Sequence, residues 1–234
     1  MKILFVSPEV VPFAKTGGLA DVAGSLPKAL KEIGHDVRIF MPRYKMVDPK
    51  KFNLRQVVPG IMEGKLPGTE VFVYFFDDQK YFGGREELYQ VKGKDYEDNL
   101  ERFSAFCKAI PLFLKKISWA PDIMHANDWQ SALVIAYLKL FYKDDPFFRR
   151  TAAIYSVHNM GYLGLFNKEK LPLTGLGSEQ FKPEALEFWG NIALAKAGFV
   201  YADIINTGKI KQNIRLLNRL KRLSFNKPSK WLSI

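Results

Sequence analysis

Residues 1–42, MKILFVSPEVVPFAKTGGLADVAGSLPKALKEIGHDVRIFMP, decide the fold. Lys2–Ser7 is a short apolar run stopped by a proline, which predicts a buried strand. Leu19–Ile33 carries apolar residues at helical spacing, and Gly34 after it is a typical C-terminal stop. Asp36–Met41 predicts a second strand. Strand, glycine-containing loop, helix and strand form the first unit of a doubly wound α/β sheet.

The same alternation of strands and helices continues along the chain. It predicts an α/β fold with a doubly wound, Rossmann-like parallel sheet, because right-handed crossovers make successive strands parallel neighbours. No interior linker divides residues 1–207, which are therefore predicted to form one domain followed by a basic tail, 208–234. The further elements predicted are strands at Val71–Phe76, Ile123–His125, Ala152–Val157 and Ile204–Asn206, and helices at Glu97–Ile117, Trp129–Phe141 and Glu184–Tyr201.

Length and composition exclude several classes of protein. The 234 residues are 47% hydrophobic and 25% charged, a globular mixture. Apolar runs such as Val71–Phe76 are too short to cross a membrane, and the N-terminus lacks a secretory signal. The single cysteine, Cys107, excludes an intrachain disulfide and a zinc site built on several thiolates. A soluble cytoplasmic protein is expected, with no membrane partner.

The net charge of +11 is concentrated in the tail. Residues 208–234 contain eight basic residues and no acid, so residues 1–207 carry 27 basic and 24 acidic residues, a net charge of +3. A nucleic-acid partner would have to bind the tail alone, and the tail contains no recognised nucleic-acid motif.

Three polar clusters follow predicted strands. Lys15-Thr16-Gly17-Gly18 opens the first helix, His125–Trp129 joins a strand to a helix, and Ser156–Asn159 ends another strand. Ligands of doubly wound sheets bind beyond the carboxyl ends of the strands. The three clusters are therefore expected to converge on one crevice.

The first cluster has the composition of an anion site. Gly17 and Gly18 would let the backbone approach a phosphate closely, amides at the helix start would point at it, and Lys15 would add a positive charge. It is neither a P-loop nor a G-x-G-x-x-G fingerprint. A tight turn beside a solvated lysine explains the same residues equally well.

Single residues of the other clusters allow two interpretations each. Asp128 could bind sugar hydroxyls or cap the helix that follows it. His158 could donate to a hydroxyl or to developing charge, or be a satisfied structural histidine. Tyr96 and Asn99 could lie at the rim of the crevice or form an ordinary polar helix start. Asp21 could be a polar-face residue only.

Four stretches together resemble the N-terminal domain of bacterial glycogen synthases and plant starch synthases. The resemblance runs from Met1 to about Thr207, and the four motifs occur in the family's order and spacing. The stretches are Lys15–Val22, Tyr96–Phe103, His125–Trp129 and Ser156–Tyr162.

This resemblance implies a GT-B glycosyltransferase built from two Rossmann-like domains. Such enzymes transfer glucose from ADP-glucose to the non-reducing end of an α-1,4-glucan such as glycogen, with retention, and without a metal or a cofactor besides the donor. The residues carried over are Lys15 with the Gly17 and Gly18 amides at the donor diphosphate, Asp21 and the candidate catalytic residues Asp128 and His158 along the transferred glucose, and Tyr96 and Asn159 at the acceptor or donor rim.

The resemblance stops before the family's second domain, which holds most of the nucleotide pocket. The chain is therefore expected to be truncated and inactive, or nearly so, by itself. Arg215–Asn226 can be re-read one frame over as a helical segment typical of the family, so a frameshift is one hypothesis for the tail. Two alternatives are a glucan-binding or regulatory module without transferase activity, and nucleic-acid binding through the tail, which could also adsorb to a membrane surface or a partner helix.

Overall fold

The structure is a computed structural model that describes residues 1–207 and 231–232. Its four α-helices are α1 (Gly18–Glu32), α2 (Asn99–Lys116), α3 (Asp128–Leu140) and α4 (Leu194–Tyr201). Its strands are β1 (Lys2–Val6), β2 (Asp36–Pro42), β3 (Arg55–Val58), β4 (Ile61–Lys65), β5 (Phe72–Phe76), β6 (Gln90–Val91), β7 (Lys94–Asp95), β8 (Ile123–Asn127), β9 (Ala152–Val157), β10 (Leu165–Asn167), β11 (Glu187–Phe188), β12 (Asn191–Ala193), β13 (Ile204–Thr207) and β14 (Trp231–Leu232).

A nine-stranded sheet in the order β14-β13-β9-β8-β1-β2-β5-β4-β3 forms the centre of the fold. Every neighbouring pair is parallel except β5–β4 and β4–β3. The α/β class and the mostly parallel, Rossmann-like sheet are thus confirmed. Two small sheets, β6–β7 and β10–β12–β11, lie outside it.

Strand register brings the predicted polar clusters to one edge. Val6 at the end of β1 pairs with Ala126 of β8, and Asn127 pairs with Ser156 of β9. Because β1, β8 and β9 run in the same direction, the segments that leave their carboxyl ends start side by side. The loop after β1, the start of α3 and the loop after β9 therefore share this edge.

The helices cover the sheet with apolar faces. Helix α3 packs against α2 and α4 and lies over β8 and β9. The core is continuous, and under α2 it is aromatic: Phe40 contacts Phe106 and Phe113 with ring centroids 5.5 and 5.6 Å apart. This packing holds the ends of the central strands in place.

Two predicted helices need comparison with the structure. Pro27 inside the predicted Leu19–Ile33 helix favours a kink or a break, but α1 continues as one helix through this buried proline. The helix predicted at Glu184–Tyr201 was wrong in its first half, where β11 and β12 form a hairpin and only α4 is helical. Trp189 and Gly190 cause this difference, since both have positive φ, at 54° and 78°, which no α-helix accommodates.

Among the described residues, no helix has both the length and the apolar character needed to cross a membrane. The frameshift and amphipathic hypotheses for 208–234 concern residues outside the described part of the chain. Of that tail only β14 is described, and it pairs in parallel with β13.

Candidate functional site

Glu9 organises the loop that follows β1. It is only 4% exposed, and its carboxylate accepts hydrogen bonds from the backbone N–H and the hydroxyl of Thr16, from the Gly17 N–H at 3.2 Å and from the Tyr89 hydroxyl at 2.7 Å. A buried carboxylate needs such donors to offset its lost hydration. Glu9 therefore fixes the shape of the glycine-containing loop and binds the Gly17 amide assigned above to a phosphate.

The outer face of this loop is open. Gly17 caps α1 and Gly18 is its first residue, and a Cβ built on either glycine would meet no atom within 4 Å. Lys15 Nζ lies 2.7 Å from Asp21 Oδ1, and both side chains are more than half exposed. The structure thus brings together the four residues predicted here, with the lysine and the aspartate paired to each other.

Asp128 adopts a backbone conformation unusual for an aspartate. It begins α3 with φ of 56°, a left-handed value that costs conformational energy and is enriched at functional sites. Its Oδ1 accepts from the backbone N–H of His158 at 2.7 Å and of Asn159 at 3.4 Å. Burial raises the pKa of Asp128 to about 6, and the nearby negative charge of Glu9 adds to this rise. The two backbone N–H groups act in the opposite direction, because they stabilise the carboxylate. Asp128 joins β8 to the loop after β9, and no side-chain bond caps α3.

The His158 ring is neutral and its tautomer follows from the surrounding network. The Asn127 Nδ2 donates to the carbonyls of Val6 and His125, at 3.1 and 3.3 Å, so its Oδ1 faces His158 Nε2 at 3.0 Å. His158 Nε2 must then carry the proton and Nδ1 is an acceptor. Burial lowers the pKa of His158 to about 4. The ring therefore offers an acceptor to a ligand, where the sequence interpretation assigned it a donor.

His125 is a buried residue of β8 that supports this cluster. Its Nε2 lies 2.7 Å from Ser156 Oγ, and its ring contacts the Phe5 ring edge to face. Burial, with a smaller contribution from His158, lowers the pKa of His125 to about 3. His125 is therefore an uncharged structural residue that ties β8 to β9.

The two halves of the edge are physically joined. The Asn127 amide bonds the end of β8 to the Val6 carbonyl at the end of β1. The charge of Glu9 raises the pKa of Asp128, and Glu9 and Asp128 both raise the pKa of Tyr89, which lies well above its usual range mainly because of burial. The segments that carry Lys15, Asp128 and His158 therefore leave the sheet at one edge, as the sequence predicts.

Tyr96 lies just before the start of α2. Its ring packs under the guanidinium groups of Arg85 and Arg102, at 4.5 and 4.9 Å. Asn99 is buried and bonds the Tyr89 carbonyl and Arg102, so it is structural and does not lie at a rim. The Tyr96 backbone N–H donates to the Tyr89 carbonyl at 3.1 Å, and the Tyr89 hydroxyl donates to Glu9, which links Tyr96 to the glycine-containing loop.

Asn159 is exposed beside the cluster. Its side-chain Oδ1 accepts from the Gly161 N–H at 3.0 Å and its backbone N–H points at Asp128. This arrangement holds the loop after β9 against the start of α3.

The sequence interpretation missed Glu9, Tyr89 and Asn127. Each acts through contacts between segments far apart in the chain, and Tyr89 lies 80 residues from its partner Glu9. Asn127 directly precedes α3, where an asparagine often caps a helix, but its side-chain amide donates to the Val6 carbonyl at the end of β1 instead. The sequence contains one indication of the role of Glu9, which is its position between a strand and the Gly17-Gly18 pair.

Part of the site is open to solvent, because Lys15, Gly17, Gly18 and Asn159 are exposed. A surface depression of about 690 Å³ lies elsewhere, along the β3–β4 hairpin, and contains none of the residues above. Within the described residues, no group of three or more His, Cys, Asp or Glu side chains is arranged to hold a metal ion. The groups available at the edge are hydrogen-bonding amides, the Lys15 ammonium and the carboxylates of Glu9, Asp21 and Asp128.

Comparisons with known proteins agree with this geometry. A family model for the starch synthase catalytic domain matches residues 2–209. The glycogen synthase of Desulforudis audaxviator is 44% identical across 88% of this chain and 44% of its own length. That of Moorella thermoacetica is 46% identical across 88% and 43%. The chain thus spans less than half the length of these relatives.

Solved structures show the same fold. The catalytic domain of starch synthase IV from Arabidopsis thaliana, bound to ADP and acarbose, superposes with a TM-score of 0.82 at 24% identity, over 99% of this chain and 50% of that one. Sucrose-phosphate synthase from Thermosynechococcus elongatus gives 0.53 at 18% identity, over 100% and 47%. The resemblance noted from the four motifs is confirmed, and the fold is that of one Rossmann-like half of a GT-B glycosyltransferase: the chain belongs to the starch synthase catalytic domain family.

Proposed function

We propose that these residues form the N-terminal wall of a retaining glucosyltransferase site that extends an α-1,4-glucan from ADP-glucose. The observation that carries the proposal is the joined edge, where the open glycine loop with Lys15 lies beside the Asp128–His158 pair. The Lys15–Gly18 loop is suited to bind the diphosphate of a sugar nucleotide. The Asp128–His158 pair next to it is suited to bind the hydroxyls of the sugar.

The glycine loop would bind the donor diphosphate. Its exposed face gives close access to the amides at the start of α1, and the N-terminus of a helix favours negative charge. Because the Gly17 amide already serves Glu9, Gly18 and the next helical amides are the donors proposed for the phosphate. Lys15 would exchange its ion pair with Asp21 for one with the diphosphate. The Asp21 carboxylate could then accept a hydrogen bond from a sugar hydroxyl.

Asp128 and His158 would hold the transferred glucose. At neutral pH the Asp128 carboxylate is ionised and His158 is neutral with Nδ1 as an acceptor, so both groups accept hydrogen bonds from hydroxyls. The carboxylate would also stabilise positive charge that develops on the sugar ring as the bond to the diphosphate breaks. Neither residue is proposed as a nucleophile, and Tyr96 and Asn159 are proposed as rim residues.

A single wall does not orient donor and acceptor together. Most of the orientation that catalysis needs comes from groups placed on both sides of the reacting atoms. We therefore propose that residues 1–234 alone bind the donor weakly and transfer glucose slowly or not at all. Incubation with ADP-glucose and glycogen should yield no transfer near the rate of an intact synthase, and transfer at that rate would refute this part.

Donor binding tests the site itself. Titration of the ¹⁵N-labelled chain with ADP-glucose should shift the Gly18 amide resonance. Lys15→Ala should weaken binding about tenfold to a hundredfold, because a charge-assisted hydrogen bond contributes about 1.5–3 kcal/mol. Lys28→Ala, an exposed lysine on the same helix, is the matched control and should change nothing.

Equal losses in the two variants would mean that only general charge attracts the nucleotide. Glucan binding without any response to ADP-glucose would favour a glucan-binding module instead of a donor site.

A further inference from the structure

Trp189 is exposed on the surface, and its backbone conformation is unfavourable for a tryptophan. Its side chain is 69% exposed, and its backbone has φ of 54°. With Gly190, which has φ of 78°, it forms the two-residue connection between β11 and β12. Positive φ at both central residues is the pattern of a type I′ turn, whose first position favours asparagine and disfavours a bulky side chain.

Neighbouring residues hold this turn rigidly. The Gly190 N–H donates to Glu187 Oε1 at 2.8 Å, and the Asn191 amide donates to the Trp189 carbonyl at 3.3 Å. The buried Lys196 ammonium donates to the carbonyl of Glu187 at the base of the hairpin. The turn that carries the exposed indole is therefore held in place by these hydrogen bonds.

The hairpin is attached to the crevice. Strand β12 pairs with β10, which continues from the loop that carries His158 and Asn159. Gly164, just before β10, lies against the Trp129 ring, and its carbonyl accepts from the Leu194 N–H at 3.0 Å. Because strands rise about 3.3 Å per residue, the tip at Asn167 and Asn191 lies about 7 Å beyond the start of β10.

We infer that Trp189 is an outer binding platform for the α-glucan, beside the crevice and distinct from its reacting end. This inference rests on the proposed function, which supplies a glucan as the ligand. The flat indole can stack on the apolar face of a glucose ring, and a rigid aromatic binds with little loss of conformational entropy. Asn167 and Asn191 lie exposed beside the turn; the Asn167 Oδ1 accepts from the Glu169 N–H and the Asn191 Nδ2 donates to the Trp189 carbonyl, and each amide group has further hydrogen-bonding capacity suited to sugar hydroxyls.

Trp189→Asn separates this role from a structural one. Asparagine is favoured at this turn position, so the melting temperature should stay the same or rise, whereas stacking disappears. Affinity for maltoheptaose should fall about threefold to tenfold, and Trp189→Phe should keep most of it. Phe141→Ala, which removes an exposed aromatic at the end of α3, should leave the affinity unchanged.

The measurement is a maltoheptaose titration of the full chain, followed through its four ¹⁵N-labelled indole groups. The Trp189 indole resonance, identified by its loss in Trp189→Asn, should shift saturably. An unchanged affinity in that variant, or a wild type that does not bind maltoheptaose, would overturn the inference. ADP-glucose shifts at Gly18 that persist in Trp189→Asn would show that the proposed donor site stands independently.

Discussion

Asp128→Asn should make the protein more stable at neutral pH while it removes the carboxylate from the site. Asparagine keeps an oxygen that can accept the backbone N–H groups of His158 and Asn159, so the two bonds that fix the loop after β9 can remain. What disappears is a negative charge that burial disfavours. Such a substitution exchanges function for stability.

The size of the effect follows from the raised pKa. A carboxyl whose pKa is 3.8 in the unfolded chain and about 6 in the fold ionises at a cost about 3 kcal/mol higher in the fold. Between these two pH values the folded state binds more protons than the unfolded state, so this residue lowers stability as the pH rises through that range. The variant should therefore gain up to about 3 kcal/mol at pH 7.5 and nearly nothing at pH 4.

Urea unfolding of both proteins between pH 4 and pH 8 measures this difference. The gain should grow between about pH 4 and pH 6 and then level off. Asp21→Asn, which removes an exposed aspartate paired with Lys15, should change stability by no more than about 0.5 kcal/mol at any of these pH values. A variant less stable than the wild type at pH 7.5, or a difference independent of pH, would refute the reasoning about burial.

Other parts of the site give further expectations. Glu9→Ala should lower the free energy of unfolding by about 2–4 kcal/mol, because the donors of Thr16, Gly17 and Tyr89 lose a buried, charged acceptor; urea unfolding measures the loss, and a change below about 1 kcal/mol would contradict it. Gly164→Ala should cost about 1–3 kcal/mol more than Gly93→Ala, since both have positive φ but only at Gly164 would the new Cβ lie 2.6 Å from the Trp129 ring. Wild-type stability should fall as the pH drops from about 6.5 to 4, because His125 and His158 have pKa values near 3 and 4 in the fold and 6.5 when unfolded; His125→Asn should reduce that fall, while an unchanged profile would argue against a buried neutral ring.

Local pattern was sufficient for the elements that bury one continuous apolar face. The strand at Ala152–Val157 has the predicted bounds, and helix α2 begins two residues after its predicted start and ends one residue before its predicted end. The grouping of the site residues also followed from the sequence, because parallel strands present their carboxyl ends at one edge whatever their side chains are.

Features that depend on contacts between distant segments could not be read from the sequence. The role of Glu9 requires Tyr89 to fold back across the β1 loop, and the position of Tyr96 depends on two arginines above its ring. The β11–β12 hairpin was hidden because its apolar residues also fit a helical period. The positive φ values of Trp189 and Gly190, which are seen only in the structure, exclude a continuous helix there.

The Lys15–Gly18 loop and the Asp128–His158 cluster are proposed to bind one sugar nucleotide together, and chemical-shift mapping of the ¹⁵N-labelled chain with ADP-glucose tests this. The amides of Gly18 and Asn159 should shift together with one dissociation constant. Gly18→Ala, whose Cβ fits in open space, should abolish both shifts without lowering stability. Shifts confined to one cluster, or two different dissociation constants, would contradict it.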